Sequence, residues 1–328
     1  MTCGLVHTSY SLPEWQAVKL AFSVCSLCVI PTSKVYRWIM LAFAVVDFCH
    51  NKFEASFRKH VLSNQSSWQS LIVRVYYRMR WDFCLLQIDA VSGRKFSFHQ
   101  LKDQTRRFSS ALAKKDFRKG DVLAMYLPNV IEYPIIFYGV ANLGGIVTTL
   151  NPRSSQDDLV HFLKLSRAKF LVTTPPLAEK AFRAGLLEEI HSVFVIGETE
   201  NCESLSSLLA DDGTAFPQDV KISPKEDIVA LPFSSGTTGL SKGVMLTHHN
   251  LIAQVRILFR DRQPIKDTEA MINVLPLYHI YGLAIIMGAR LYLGNTMVLM
   301  SRFEPSVFLQ AIQEYKVSFI EGWETGKG

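Results

Sequence analysis

From Ile88 onward the chain alternates between short apolar runs and segments whose apolar residues recur at helical spacing. The stretch HQLKDQTRRFSSALAKKDF places Leu101, Thr105, Phe108, Ala111 and Leu112 on one face of a helix. Gly120-Asp121 breaks it, and VLAMYLP reads as a buried strand. EYPIIFYGVANLG is a mostly apolar helix stopped by Gly144-Gly145, and IVTTLNP is a strand that runs into a turn. SSQDDLVHFLKLSRA follows as a helix, with Ser154 or Ser155 as its cap and acids in the first turn, where they suit the helix dipole. KFLVTT is a strand, PLAEKAFRAGLLEEI a helix with proline near its start, and SVFVIG a strand. Glu198–Lys225 reads as a polar surface connection with a short helix near Leu205–Leu209. Beyond it come the strand IVALPF, a glycine-rich loop, a helix over Asn250–Phe259 and the strand MINVLPL. An apolar helix over Tyr281–Leu293, the strand TMVLM, a helix over Pro305–Tyr315 and the strand VSFI complete the series.

Strands that alternate with helices predict an α/β fold with layered subdomains and largely parallel sheets. Ligands in such folds sit beyond the carboxyl ends of the strands. The glycine loop and the segment PLYHIYG both fall at strand ends, so they mark the expected site.

Composition adds bounds. The 328 residues suffice for one large domain or two ordinary ones, and 48% apolar with 20% charged residues is the balance of a globular core. The net charge of +6 is unevenly placed: residues 1–80 hold nine Lys/Arg against three acids, which leaves 81–328 balanced. A basic face for nucleic acid on the main body is therefore not expected. Residues 1–80 read as an atypical basic and apolar extension. Its two apolar runs, Leu20–Ile30 and Trp38–Val46, are each shorter than the roughly 20 residues a membrane span needs. Pro31, Lys34 and Arg37 between them make a joined span costly. Two readings stay open, an anchor on a membrane surface and an extension without independent function. Six scattered cysteines suggest a reducing compartment, and the Cys25/Cys28 pair has apolar neighbours that favour buried thiols. The expected location is cytoplasmic or membrane-associated.

The chemistry concentrates in SSGTTGLSKGV, Ser234–Val244. Gly236 and Gly239 let backbone N–H groups converge without a Cβ in the way, and converging N–H groups make a nest for phosphate oxygens. Ser234, Ser235, Thr237 and Thr238 add hydroxyl donors, and Lys242 adds a mobile cation. The spacing is not that of the P-loop GxxxxGK(S/T): Ser241 stands where its second glycine belongs, and Gly243 follows the lysine. Nor is it GxGxxG, which argues against a dinucleotide fold.

The same residues carry a resemblance. Ser234–Gly243 matches Ser/Thr-Ser/Thr-Gly-Ser/Thr-Thr-Gly-x-x-Lys-Gly, the phosphate-binding signature of the adenylate-forming superfamily, at every position. VANLGGIVTTLNP, PLYHIYGL and IDAVSGRKFSFHQLKDQTRRFSSAL are similar to further segments of that superfamily, and the last two look most like its 4-coumarate–CoA ligase and luciferase-like acyl-CoA synthetase branch. The resemblance runs from about Ile88 to Ile320. It implies the N-terminal domain of the adenylate-forming fold and a two-step reaction. A carboxylic acid, fatty or aryl, attacks the α-phosphate of ATP, and coenzyme A then takes the acyl group. It implies phosphate contacts from Ser234, Ser235, Gly236, Thr237, Thr238 and Gly239, with Lys242 on the β- and γ-phosphates and Mg2+ bridging them. It further implies that His279 lines the place where carboxylate and adenylate meet, as a positioning donor rather than a general base. Tyr278, Tyr281 and Gly282 would then border the acyl pocket. Thr247 reads as the cap of the next helix, with neither His248 nor His249 a metal ligand.

Two departures qualify this. Residues 1–80 resemble nothing at the start of the family, and 321–328 read as a tail outside it. The aromatic-x-Thr-Glu and Thr-Gly-Asp segments, the hinge and the C-terminal domain of the family are not found. A truncated form is therefore expected, impaired or inactive as a ligase. The alternative is a non-catalytic, ATP- or acyl-binding or regulatory isoform, and the ending GKG does not supply a C-terminal peroxisomal signal.

Overall fold

The computed structural model describes residues 85–183, 190–234, 241–259 and 270–320. The extension 1–80 with its apolar runs and cysteine pair, the tail 321–328 and the loop residues 235–240 lie outside them.

Strands β1 (Leu85–Asp89) and β2 (Lys95–Ser97) form an antiparallel pair, followed by α1 (Phe98–Lys114). Ser97 caps α1 in a reciprocal box with Gln100, so the turn into the helix satisfies donors the helix leaves open. The predicted face is the buried one: Leu101, Phe108 and Leu112 are 0–1% exposed. Alternation then follows through β3 (Val122–Tyr126), α2 (Tyr133–Asn142), β4 (Ile146–Leu150), α3 (Gln156–Ser166), β5 (Phe170–Thr173), α4 (Pro175–Arg183) and β6 (Ser192–Val195). Of the two cap candidates for α3, Ser155 takes the role, its Oγ accepting from Asp158 N–H. The polar connection holds β7 (Glu203–Ser204) and α5 (Leu205–Leu209).

The run IVALPF divides into β8 (Ile228–Ala230) and β9 (Phe233–Ser234), with Pro232, which has no N–H to donate, at the break. Next come β10 (Lys242–Gly243), β11 (Leu246–Thr247), α6 (His248–Phe259) and β12 (Ala270–Asn273). The apolar helix expected over Tyr281–Leu293 is a π-helix over Tyr281–Gly288 that passes into α7 (Ala289–Leu293). β13 (Thr296–Leu299), α8 (Pro305–Glu314) and β14 (Val317–Ile320) close the described chain.

The strands make a seven-stranded sheet, β11-β8-β4-β3-β5-β6-β7, and a five-stranded sheet, β14-β12-β13-β1-β2. Every pairing in the first is parallel except β11 with β8, and in the second all but β1 with β2. The fold is thus mixed α/β with largely parallel sheets. Burial orders the layers. β3 is apolar on both faces: Leu123 and Met125 point to one core, Val122, Ala124 and Tyr126 to another that α3 supplies with Leu159, Phe162 and Leu163. The first core is shared, because Met271, Met297 and Leu299 of the five-stranded sheet join it with Phe108 of α1, Ile136 of α2 and Ile286 of the π-helix. The far face of the five-stranded sheet, with Ile272 and Val298, is covered by Phe308 and Ala311 of α8. Each fully buried side chain of this size stabilises the fold by about 1.5–3 kcal/mol.

Candidate active site

The glycine-rich segment leaves the seven-stranded sheet through a two-stranded antiparallel ribbon. Lys242 of β10 lies opposite Ser234 of β9, and Gly243 opposite Phe233. Ser235, Gly236, Thr237, Thr238 and Gly239 are outside the described residues; Ser234, half-buried, and Lys242, exposed, stand at the two ends of their segment. The ribbon is anchored on α3. The Phe233 ring packs 4.3 Å from that of Phe162, and His161 Nε2 lies 3.5 Å from the Ser241 carbonyl. β11 brings the chain back to the sheet, and Thr247 caps α6 as expected. Its Oγ1 accepts from Asn250 N–H (3.3 Å), while Asn250 Oδ1 accepts from Thr247 N–H (2.9 Å).

His248 is buried behind this cap. Burial pushes its imidazole down to about 4, against the opposing pull of the Asp227 carboxylate; the Lys119 ammonium adds to the depression. Lys119 Nζ in turn lies 2.6 Å from Asp227 Oδ2. Among the described residues no three His, Cys, Asp or Glu side chains gather as a metal site.

Tyr278, His279, Tyr281 and Gly282 come together where β12 gives way to the π-helix. β12 ends at Asn273 because that side chain bonds the backbone of the turn, Nδ2 donating to the Leu275 carbonyl (2.9 Å) and Oδ1 accepting from Leu275 N–H (3.0 Å). His279 N–H donates to the Pro276 carbonyl (3.2 Å) and Leu283 N–H to the His279 carbonyl (2.9 Å). Gly282 permits this fold-back: a Cβ there would sit 2.1 Å from the Pro276 carbonyl oxygen. The His279 ring is held down to about 4 by burial. Its Nδ1 accepts from Tyr281 N–H (3.4 Å), so the neutral ring carries its proton on Nε2. Such a ring is neutral at pH 7 and a weak proton acceptor.

Two neighbouring residues of β4 link both parts of the site. Thr148 Oγ1 donates to the Leu231 carbonyl (2.8 Å), on the approach to the ribbon, and Thr149 Oγ1 to the Tyr278 carbonyl (2.7 Å). Burial raises the Tyr278 phenol, with Arg153 opposing. The Tyr133 phenol is fully buried and is raised well above its usual range, first by burial and then by Tyr278; its hydroxyl has no hydrogen-bond partner among the described residues. Sequence reading missed Thr148, Thr149, Asn129 and Tyr133. No periodicity or spacing marks a side chain whose partner lies more than a hundred residues away, as with Thr149 and Tyr278.

Comparison with known proteins fits this geometry. The AMP-binding enzyme family matches residues 82–324. The chain is 37% identical over 238 residues to a 4-coumarate–CoA ligase of Pinus taeda, covering 70% of this chain and 43% of that protein. It is 32% identical over 254 residues to a probable 4-coumarate–CoA ligase of Dictyostelium discoideum, covering 71% and 46%. The chain therefore spans less than half the length of these curated relatives. The crystal structure of a long-chain-fatty-acid–CoA ligase from Archaeoglobus fulgidus superposes with a TM-score of 0.68 at 26% identity, over 77% of this chain and 51% of that one.

Proposed function

The chain belongs to the AMP-binding enzyme family, and from that premise we propose that it serves the ATP-dependent activation of a fatty or aryl carboxylic acid. In that reaction a carboxylate oxygen bonds to the α-phosphorus, the α–β bridging bond breaks and pyrophosphate leaves. The thiol of coenzyme A then attacks the acyl carbonyl and AMP departs. The observation that carries the reading is the joint hold of β4, through Thr148 and Thr149, on the segment entering the phosphate ribbon and on the His279 loop.

In this reading Ser234 through Gly239 donate to the triphosphate and Lys242 neutralises its outer oxygens, where positioned cations lower the barrier to phosphoryl chemistry. His279 orients the carboxylate, and Tyr278, Tyr281 and Gly282 border the acyl group. Mg2+ would be held largely by triphosphate oxygens, which suits an ion that keeps its waters and takes few protein ligands.

For a polypeptide of these 328 residues alone we propose binding rather than turnover. Isothermal titration is expected to show Mg–ATP binding that Lys242→Ala weakens. Carboxylate-dependent ATP–pyrophosphate exchange, abolished by Lys242→Ala, would overturn the binding-only part. Absence of any Mg–ATP binding would overturn the assignment of the ribbon.

A further inference from the structure

The loop that carries His279 is held by one side chain of β4 and one of the connection that follows β3. Asn129, 5% exposed in the connection between β3 and α2, donates through Nδ2 to the carbonyls of Leu275 (3.0 Å) and Met300 (3.0 Å). Its Oδ1 accepts from Leu277 N–H (2.8 Å). Both amide donors and the amide oxygen are therefore used, each on backbone at the carboxyl ends of β12 and β13. Thr149, 4% exposed, donates to the carbonyl of the Tyr278–His279 peptide at 2.7 Å. Removing Asn129 takes away the partner of the Leu277 N–H and of the Met300 carbonyl, and removing Thr149 that of the Tyr278 carbonyl, losses a loop escapes by moving. The Tyr278–His279 peptide plane sets the direction in which the His279 side chain leaves the backbone. A shift there moves the imidazole directly.

We propose that Asn129 and Thr149 are positioning residues for His279: from the connection after β3 and from β4 they clamp the Leu275–Tyr278 backbone and so fix where the imidazole faces the site. A second tie supports the same connection as a strap between the sheets. Glu132, 4% exposed at the start of α2, pairs with Arg94 in the turn between β1 and β2 at 2.5 Å. What His279 faces rests on the acid-activating reading; the clamp itself does not.

The test is an NMR pH titration of the His279 Cε1–H resonance in the full chain, assigned with His279→Gln, in wild type, Thr149→Val, Thr149→Ser and Asn129→Leu. The wild-type midpoint is expected at about 4. The clamp predicts that Thr149→Val and Asn129→Leu move it up toward the ordinary value of about 6.5, as the loop loosens and water reaches the ring. Thr149→Ser, which keeps the hydroxyl, returns it to the wild-type position, and the His248 midpoint stays in place throughout. Should Asn129→Leu fail to fold, the near-isosteric Thr149→Val against Thr149→Ser decides. A lowered melting temperature with an unmoved His279 midpoint in Thr149→Val would overturn the proposal and leave only a structural role. A wild-type His279 resonance that ignores Mg–ATP with decanoate or 4-coumarate would count against the acid-activating reading and leave the clamp standing.

Discussion

Thr148 and Thr149 are neighbours on β4, yet their hydroxyls hold different parts of the site: Thr148 bonds the Leu231 carbonyl and Thr149 the Tyr278 carbonyl. Successive strand residues face opposite sides of a sheet. One strand thus reaches toward the ribbon from one face and toward the His279 loop from the other, and its rigidity is common to both.

Lys242 tests the ribbon. It is exposed and takes no part in the apolar cores, so Lys242→Ala should leave the unfolding midpoint in urea unchanged. If it neutralises phosphate, the lost charge-assisted bonds are worth about 1.5–3 kcal/mol, roughly a 10–100-fold weaker affinity for Mg–ATP. A loss under about twofold in titration calorimetry would separate Lys242 from the phosphates.

Gly282 tests the fold-back of the His279 loop. Its added Cβ would meet backbone, the Pro276 carbonyl carbon at 2.8 Å and Leu277 Cα at 2.9 Å as well as the Pro276 oxygen, and none of these can swing aside as a flexible side chain would. Gly282→Ala is expected to cost about 1–3 kcal/mol in urea denaturation through overpacking. An unchanged denaturation midpoint would mean the loop relaxes without strain.

Acid stability follows from two desolvated imidazoles, His248 buried and His279 half-buried. His248 and His279 both have folded values of about 4, below the ordinary imidazole. Between about 6.5 and about 4 the unfolded chain binds protons at these positions that the folded chain does not, so stability falls as pH drops through that window. Below about 4 these two groups add no further loss. The expected decrease is about 1–3 kcal/mol per histidine. His248→Gln should flatten the slope of unfolding free energy between pH 6.5 and 4.5 (roughly the window set by those values). An identical slope in the variant would assign the pH dependence to other groups.

Phe108 tests the shared core. It is 0% exposed, and a Cβ on Gly139 of α2 would lie 2.4 Å from its ring, so α1 and α2 meet at van der Waals contact. Phe108→Ala should destabilise the chain by about 3–5 kcal/mol, the transfer term plus the cavity left behind. Calorimetry would show this as a lowered midpoint, and a shift of less than a degree would be incompatible with such packing.

Much of this architecture was legible in the sequence because it depends on local pattern. The face Leu101, Thr105, Phe108, Ala111 and Leu112 is buried as its spacing requires, and the short helix Leu205–Leu209 appears within its predicted bounds. The loss of legibility has physical causes. The segment YGLAIIMG is apolar all round, so no polar stripe records whether its turns are α or π, and it forms the latter. β11 is only two residues long and owes its existence to the partner β8. Ser234 and Lys242 could be named as candidates because their pattern is local, a run of consecutive residues, and they face each other across the ribbon. Asn129 could not, because its three bonds run from the connection after β3 to backbone far along the chain, at Leu275, Leu277 and Met300.

The core common to both sheets has a mechanical consequence. Leu123 and Met125 of one sheet and Met271 and Met297 of the other contribute to a single apolar cluster. Neither sheet can be peeled away without exposing the hydrocarbon that the other covers. Opening of the described region is therefore cooperative, and local loosening is confined to connections at its rim. Motion of the described region would draw on those connections rather than on separation of the sheets.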